Sequence, residues 1–70
     1  MAAPEVGTIC LRIGNDELAA KVVGAEDTSN ITPTITITYL WKHPVTEIWA
    51  SVVTEVITVA NFWENFEAEA

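Results

Sequence analysis

Residues 44 to 66 carry the pattern that most constrains how this chain can fold. Large apolar side chains recur there at alternating steps of four and three residues, and that spacing is typical of one face of an amphipathic helix. We therefore predict a long C-terminal helix from Pro44 to Phe66, with the proline in its first turn, where a missing N–H costs nothing. The apolar face consists of Val45, Trp49, Val52, Val56, Val59, Trp63 and Phe66.

The composition of the same stretch favours a strand instead. Valine, isoleucine, threonine and aromatic residues make up most of it, and all of these are better strand formers than helix formers. Strict alternation of apolar and polar residues fails at Val52–Val53 and at Val56–Ile57, so the period favours the helix. The alternative is a small all-β meander or barrel, in which Glu47 to Phe62 forms one long, bent strand.

Two further segments are predicted as strands. Val6 to Ile13 alternates, which places Ile9 and Leu11 on the more apolar side and Cys10 on the less apolar side. Thr34 to Trp41 alternates threonine with isoleucine and is the clearest strand of the chain.

The segments between these strands have turn chemistry or weak periodicity. Gly14-Asn15-Asp16 is typical of a turn. Asp16 to Val23 fits a short helix with Gly24 as its C-cap, and it also fits a strand from Glu17 to Val23; we favour the helix. Ala25 to Pro33 is rich in turn formers and is predicted to be a loop.

Together these elements predict a single α+β domain over residues 1–70, with a small two- or three-stranded sheet packed against the long C-terminal amphipathic helix. Residues 1–5 are expected to form an N-terminal arm and residues 64–70 an acidic C-terminal tail. A chain of 70 residues buries only about 60% of the surface that its unfolded form exposes. Cys10 is the only cysteine, so no internal disulfide can supplement this core, and a partner chain is the support that remains.

No catalytic, cofactor or metal site is predicted. His43 is the only histidine and has no clustered carboxylates beside it in the sequence, so we expect it to close a turn before Pro44. Cys10 is expected to pack as a small buried hydrophobe. We therefore expect a protein that is not an enzyme and that binds no cofactor and no small-molecule substrate.

The charge balance narrows the class of partner. Ten acidic residues face three basic ones, for a net charge of −7. Such a charge is repelled by the phosphate backbone and by anionic lipid, so we expect no direct binding to nucleic acid or membranes. No signal peptide is evident, and no uncharged apolar stretch reaches the length of about 18 residues that a membrane span needs. We expect an intracellular protein, or one contained within a particle.

A helix of the predicted length would be too long for so small a domain. At about 35 Å it would project beyond a globule about 28 Å across, and its aromatic end would need a protein partner to cover it. We expect a non-enzymatic interaction or assembly subunit, in a homo-oligomer or on another chain, such as a small structural component of a virion. The predicted partner-binding residues are Trp49, Val52, Val56, Val59, Phe62, Trp63, Glu64, Phe66 and Glu67.

The alternative function follows from the charge. An acidic protein can act as an inhibitor or decoy that occupies a basic surface of another protein, for example a nucleic-acid-binding groove. Glu64, Glu67 and Glu69, which no cation accompanies in the sequence, are the residues that motivate this reading. Binding that weakens as salt is raised is its expected signature.

Overall fold

The chain folds into an antiparallel β-sheet with a short helix on one face. The computed structural model describes residues 2–29 and 31–68. Over these residues the elements are β1 (Ile9–Arg12), β2 (Asn15–Asp27), β3 (Thr34–Lys42), β4 (Trp49–Thr58), α1 (Val59–Asn65) and β5 (Phe66–Glu67). The strand order is β4-β3-β2-β1-β5, and each neighbouring pair is antiparallel.

One face of the sheet, called the covered face below, carries the core. The helix α1 lies against it, and the rings of Phe62 and Phe66 stack with their centroids 5.2 Å apart. Cys10 of β1 and Ala20 of β2 lie directly opposite each other in the ladder. Their small side chains leave room for these rings. The core cluster is Cys10, Ala20, Val22, Ile35, Ile37, Val59, Phe62 and Phe66.

The opposite face, called the open face below, is partly apolar. Ile9 and Leu11 of β1, Leu40 of β3 and Trp49 of β4 line a shallow cavity of about 250 Å³ on it. Ile9 and Trp49 are among the exposed large hydrophobic residues. The sheet is therefore covered by α1 on one side only, and its other side keeps apolar groups in contact with water.

The predicted fold class is wrong, and the long C-terminal helix is the error. Residues 49–58 form the strand β4, and the helix is limited to Val59–Asn65. The strand follows the β preference of its valines and threonines, which pairing along the whole of β3 reinforces. The alternative was a strand from Glu47 to Phe62, but the strand begins later and gives way to helix at Val59.

A β-bulge explains why the apolar residues of this strand have the spacing of a helix in the sequence. Val52 and Val53 lie together opposite Tyr39, because the register between β3 and β4 shifts by one residue there. The additional residue reverses the alternation, so Trp49 and Val56, seven residues apart, point to the same face. Seven residues are also about two helical turns, and the sequence pattern does not distinguish the two cases.

The short helix begins and ends at residues with clear local causes. Thr58 is its N-cap, and its Oγ1 accepts a hydrogen bond of 3.1 Å from the N–H of Asn61. Phe66 follows the last turn in an extended conformation with φ of −126°, and its N–H donates to the carbonyl of Phe62. The chain then continues as β5, which pairs with the far side of β1.

Two smaller predictions are also wrong. Asp16 to Val23, for which we favoured a helix, belongs to β2, because its alanines pair with β1 on one side and β3 on the other. The sides of β1 are reversed: Cys10 is fully buried on the covered face, whereas Ile9 is exposed on the open face. The position of α1 decides which side is buried, and that position depends on contacts distant in the sequence.

The strand β3 and the turn after it are confirmed. Thr34–Lys42 is a strand with Ile35 and Ile37 buried, as its alternation predicts. His43 closes the following turn, since its Nδ1 accepts hydrogen bonds from the N–H groups of Val45 and Thr46 at 3.1 and 3.2 Å. Pro44 lies in this turn and does not start a helix. The buried position predicted for the thiol of Cys10 is also confirmed.

Three predicted segments lie only partly within the described residues. Ala3 of the N-terminal arm packs against the core, and residues 25–27, predicted as loop, continue β2. Glu64 and Glu67, assigned to the acidic tail, lie in α1 and β5. The parts of these three segments that lie outside the described residues are 1, 30, 69 and 70.

Candidate protein-binding edge

The strand β4 forms one edge of the sheet, and among residues 2–29 and 31–68 it pairs with β3 and with no other strand. Eight of its ten residues are exposed, and most of their side chains are apolar or threonine. Its only ionisable residue is Glu55. Proteins usually protect such an edge with lysine, proline or a covering loop. An exposed, apolar, ten-residue edge strand is therefore the most unusual surface of this molecule.

A single hydrogen bond identifies which peptide groups of β4 face away from the sheet. The N–H of Val59 donates to the carbonyl of Pro33 at 3.0 Å, so this pair is a hydrogen-bonded one. Bonded and non-bonded pairs alternate along an antiparallel ladder. The hydroxyl oxygens of Thr38 and Thr54 lie 3.0 Å apart, which fits the closer approach of a non-bonded pair. The residues whose peptide groups face the free edge in this part of β4 are Thr54, Val56 and Thr58.

The bulge divides β4 into two parts. Residues 54–58 form a regular ladder with β3, and residues 49–51 form a second ladder shifted by one position. Bulges twist an edge and discourage pairing with another chain. The bulge lies between the two ladders, so residues 54–58 keep a regular edge without a shift in register.

An apolar cavity lies beside the end of this regular part. It has a volume of about 470 Å³ and is lined by Pro33 and by side chains at the start and middle of α1. The indole N–H of Trp63 donates to the carbonyl of Ala2 at 2.8 Å, which fixes one wall of the cavity. The helix residues that line it are Val59, Ala60, Trp63 and Glu64.

The structure divides the predicted partner-binding residues into groups. Val59, Phe62 and Phe66 are buried in the core of the protein itself, and Trp63 packs against that core. These aromatic residues are therefore not an uncovered helix end that needs a partner. Glu64 is exposed on α1, and Glu67 is exposed on β5 at the edge opposite β4. The members that lie exposed together along β4 are Trp49, Val52 and Val56.

Sequence reasoning did not identify the edge itself. Whether a strand is central or at an edge depends on the order of strands in the sheet, which comes from long-range pairing. One signal was available. Two β-rich segments, 34–41 and 49–58, flank a short stretch with His43 and Pro44, and that arrangement is typical of a hairpin.

A polar cavity on the covered face is a second candidate site. It has a volume of about 330 Å³, and Arg12, Tyr39 and Glu55 contribute its polar groups together with two asparagines of α1. Burial raises the pKa of Tyr39, the nearby carboxylate of Glu55 adds to the increase, and Arg12 opposes it. A phenol is protonated at neutral pH with its ordinary pKa, so Tyr39 is available as a hydrogen-bond donor there, and the raised pKa extends this to higher pH.

The described residues offer little else for chemistry. The Nδ1 of His43 is occupied by the turn, and Cys10 is buried. Within residues 2–29 and 31–68, no group of three or more His, Cys, Asp or Glu side chains could hold a metal ion. In the same ranges, no helix has the length and apolar character needed to cross a membrane.

Comparison of the chain with protein-family models, with curated proteins and with solved structures finds no match.

Proposed function

We propose that the protein is a non-enzymatic interaction or assembly subunit that binds another protein chain along β4. The observation that carries this proposal is the exposed, largely apolar edge strand with outward-facing peptide groups at Thr54, Val56 and Thr58. An added strand would satisfy those peptide groups with backbone hydrogen bonds. Side chains on alternate positions would then provide specificity.

The total surface of the molecule supports the same proposal. Its accessible area is 4667 Å², whereas a compact monomer of 7.6 kDa exposes about 4,300 Å². The principal extents of 42 × 20 × 15 Å describe an elongated, thin body. Such a body has a small core for its length, so a chain added along β4 would supply contacts that the monomer lacks.

Site-specific photo-cross-linking in the cells that produce the protein tests this function. A photoreactive amino acid replaces Val56 on β4 or, as the control, Ile13 in the turn between β1 and β2. The two side chains are similarly exposed, at 62% and 49%. We expect a covalent adduct with a protein chain from position 56 and none from position 13. Equal labelling from both positions, or no protein adduct from position 56, would contradict the proposed function.

The acidic-decoy function stays a second prediction from the sequence. It is tested by measuring how salt changes the affinity for the protein that cross-links to position 56. A complex held by charge with a basic partner weakens strongly between low and high salt, whereas one held by β4 pairing does not.

A further inference from the structure

We propose that the chain bound at this edge is β4 of a second copy of the same protein, antiparallel to the first, about a two-fold axis through Val56. This inference rests on the proposed function, because it names the partner of the same edge. The regular part of β4, residues 54–58, determines the register, and four possible positions of the axis can be compared.

The peptide groups and the charge remove one possibility. Outward-facing groups lie at positions 54, 56 and 58, so a symmetric pair must set these positions opposite one another. An axis at Thr58 would pair Thr58 alone before the chain enters α1, which leaves axes through residue 54, 55, 56 or 57. An axis at Glu55 would place two carboxylates directly opposite each other, and like charges in that position are destabilising.

The shape of the strand removes two more. An axis at Thr54 would pair Val56 with Val52, which lies in the bulge opposite Tyr39 and cannot continue a regular ladder. An axis at Ile57 would leave only residues 56–58 to pair before the chain enters α1. An axis at Val56 uses all of residues 54–58 in both copies.

The sequence of this segment is self-complementary in that register. On the open face Thr54 meets Thr58, and Val56 meets Val56 of the second copy. Threonine pairs and β-branched pairs are favourable cross-strand neighbours. On the covered face Glu55 meets Ile57, so no two charges are opposed. The row Thr54, Val56, Thr58 reads the same in both directions, as a two-fold contact requires.

The backbone groups also match. The Val56 pair exchanges two hydrogen bonds across the axis. The carbonyl of Thr58, as the N-cap residue, accepts the first hydrogen bond of the helix. The N–H of Thr58 therefore remains free to donate to the carbonyl of Thr54 in the second copy. By symmetry, the N–H of Thr58 in the second copy donates to the carbonyl of Thr54 in the first.

The same register brings the apolar bulge to the apolar cavity. Beyond Thr58 the chain enters α1, so the bulge of the second copy, Val52 and Val53, would lie next to the start of this helix at Val59 and Ala60. Val52 and Val53 are exposed, and Val59 and Ala60 line the cavity of about 470 Å³. Each copy would thus insert its bulge at the cavity of the other, so the bulge that interrupts the edge becomes part of the interface.

Charge sets the expected salt dependence. Each copy carries a net charge of −7, so two copies repel each other at low ionic strength, and salt screens that repulsion. Pairing of two five-residue segments covers less than the roughly 800 Å² per partner of a standard interface. We therefore expect a dimer with a micromolar dissociation constant, and we expect salt to lower that constant. Salt would weaken the complex of an acidic decoy with a basic partner, which is the opposite effect.

Sedimentation equilibrium over a range of protein concentrations, at low and high salt, tests the dimer. Val56→Lys would place two ammonium groups opposite each other on the axis, and we expect it to weaken association at least tenfold. Ile13→Lys changes the net charge equally at a distant exposed site, and we expect less than a twofold effect. A wild-type protein that stays monomeric to millimolar concentration would overturn the proposal. Cross-linking of position 56 to a different protein would then leave the proposed function intact.

Disulfide trapping tests the register, in chains that also carry Cys10→Ala. Residues in a hydrogen-bonded antiparallel pair have Cα atoms about 5.5 Å apart, within the roughly 4.4–6.8 Å range of disulfides. We expect rapid oxidation of Val56→Cys to a covalent dimer and slow oxidation of Glu55→Cys. Thr54→Cys mixed with Thr58→Cys should give the mixed dimer faster than either variant alone links to itself. Equal rates at positions 55 and 56 would refute this register, and if the cysteine variants fail to fold, sedimentation of the wild-type chain still decides whether the dimer exists.

Discussion

Replacement of Gly24 by alanine tests the close pairing of β2 with β3, because that pairing predicts that the substitution destabilises the protein. Gly24 lies opposite Thr36, and a Cβ added at Gly24 would lie 2.8 Å from the Cβ of Thr36. Carbon atoms prefer a separation of about 3.5–4.0 Å, so the two strands would have to move apart by about 0.7 Å or more. The Cβ of a threonine is fixed to the backbone and cannot swing away.

The magnitude follows from two opposing terms. Overpacking of this kind costs about 1–3 kcal/mol. Alanine also reduces the freedom of the unfolded chain, which stabilises a protein by about 0.4–1 kcal/mol when the backbone is compatible. The expected net loss for Gly24→Ala is therefore about 1–2 kcal/mol. In a domain of this size that lowers the melting temperature by between about 4 and 16 °C.

Thermal and urea denaturation followed by circular dichroism measure this loss. The matched control is the double variant Gly24→Ala/Thr36→Gly, in which the opposing Cβ is absent. Thr36→Gly alone weakens the strand, so a double-mutant cycle is needed to separate the two effects, and we expect a favourable interaction energy of about 1–2 kcal/mol in the double variant. A stabilised Gly24→Ala protein would refute the close approach of β2 and β3 at this position.

Three further predictions concern the helix, the core and the polar cavity. Thr58→Ala removes the N-cap and should cost about 1 kcal/mol, whereas Thr28→Ala in the exposed loop should have little effect on the urea midpoint. Phe62→Ala removes the largest fully buried side chain of the core; a loss of about 3–5 kcal/mol should leave the chain largely unfolded by circular dichroism at room temperature. The pKa of Tyr39 is raised above its ordinary value of 10.0 by burial and by Glu55, so the folded state holds the phenolic proton more tightly than the unfolded chain. That stability is fully present below pH 10 and is lost as the pH rises through the folded pKa. Tyr39→Phe should flatten this alkaline loss in urea titrations, and an unchanged alkaline slope would contradict it.

The sequence predicts local structure well where one strand has a regular alternation. Thr34 to Trp41 has such a pattern, and β3 occupies almost the same residues. The turn role of His43 could also be predicted, since Pro44 prevents continuation of the strand. In both cases the information lies within a few neighbouring residues.

The sequence fails where a bulge or a distant contact decides the structure. The bulge at Val52 and Val53 gives β4 the spacing of a helix, although its composition is that of a strand. The buried side of β1 is set by α1, whose aromatic rings approach the small side chains of Cys10 and Ala20. No local pattern in β1 reports the position of a helix some fifty residues later in the chain.

The candidate edge could be predicted only in part. Trp49, Val52 and Val56 were selected because they are apolar, and they are exposed on β4. Phe62 and Phe66 were selected for the same reason and are buried in the core. Apolar character alone does not separate residues that stabilise a fold from residues that bind a partner, because the order of the strands and the position of α1 make that division.

The short strand β5 limits what the molecule can build. In the described part of the chain, the edge opposite β4 is β5 itself, which is two residues long and pairs with Leu11 and Arg12 of β1. It presents a much shorter run of unoccupied backbone than the ten residues of β4. A subunit with two equivalent exposed edge strands would add copies without limit and grow into fibrils. A subunit with one such edge strand, paired in a two-fold symmetric contact, forms a dimer and adds no further copies. The two residues of β5 would therefore decide whether this protein makes a finite particle or an endless one.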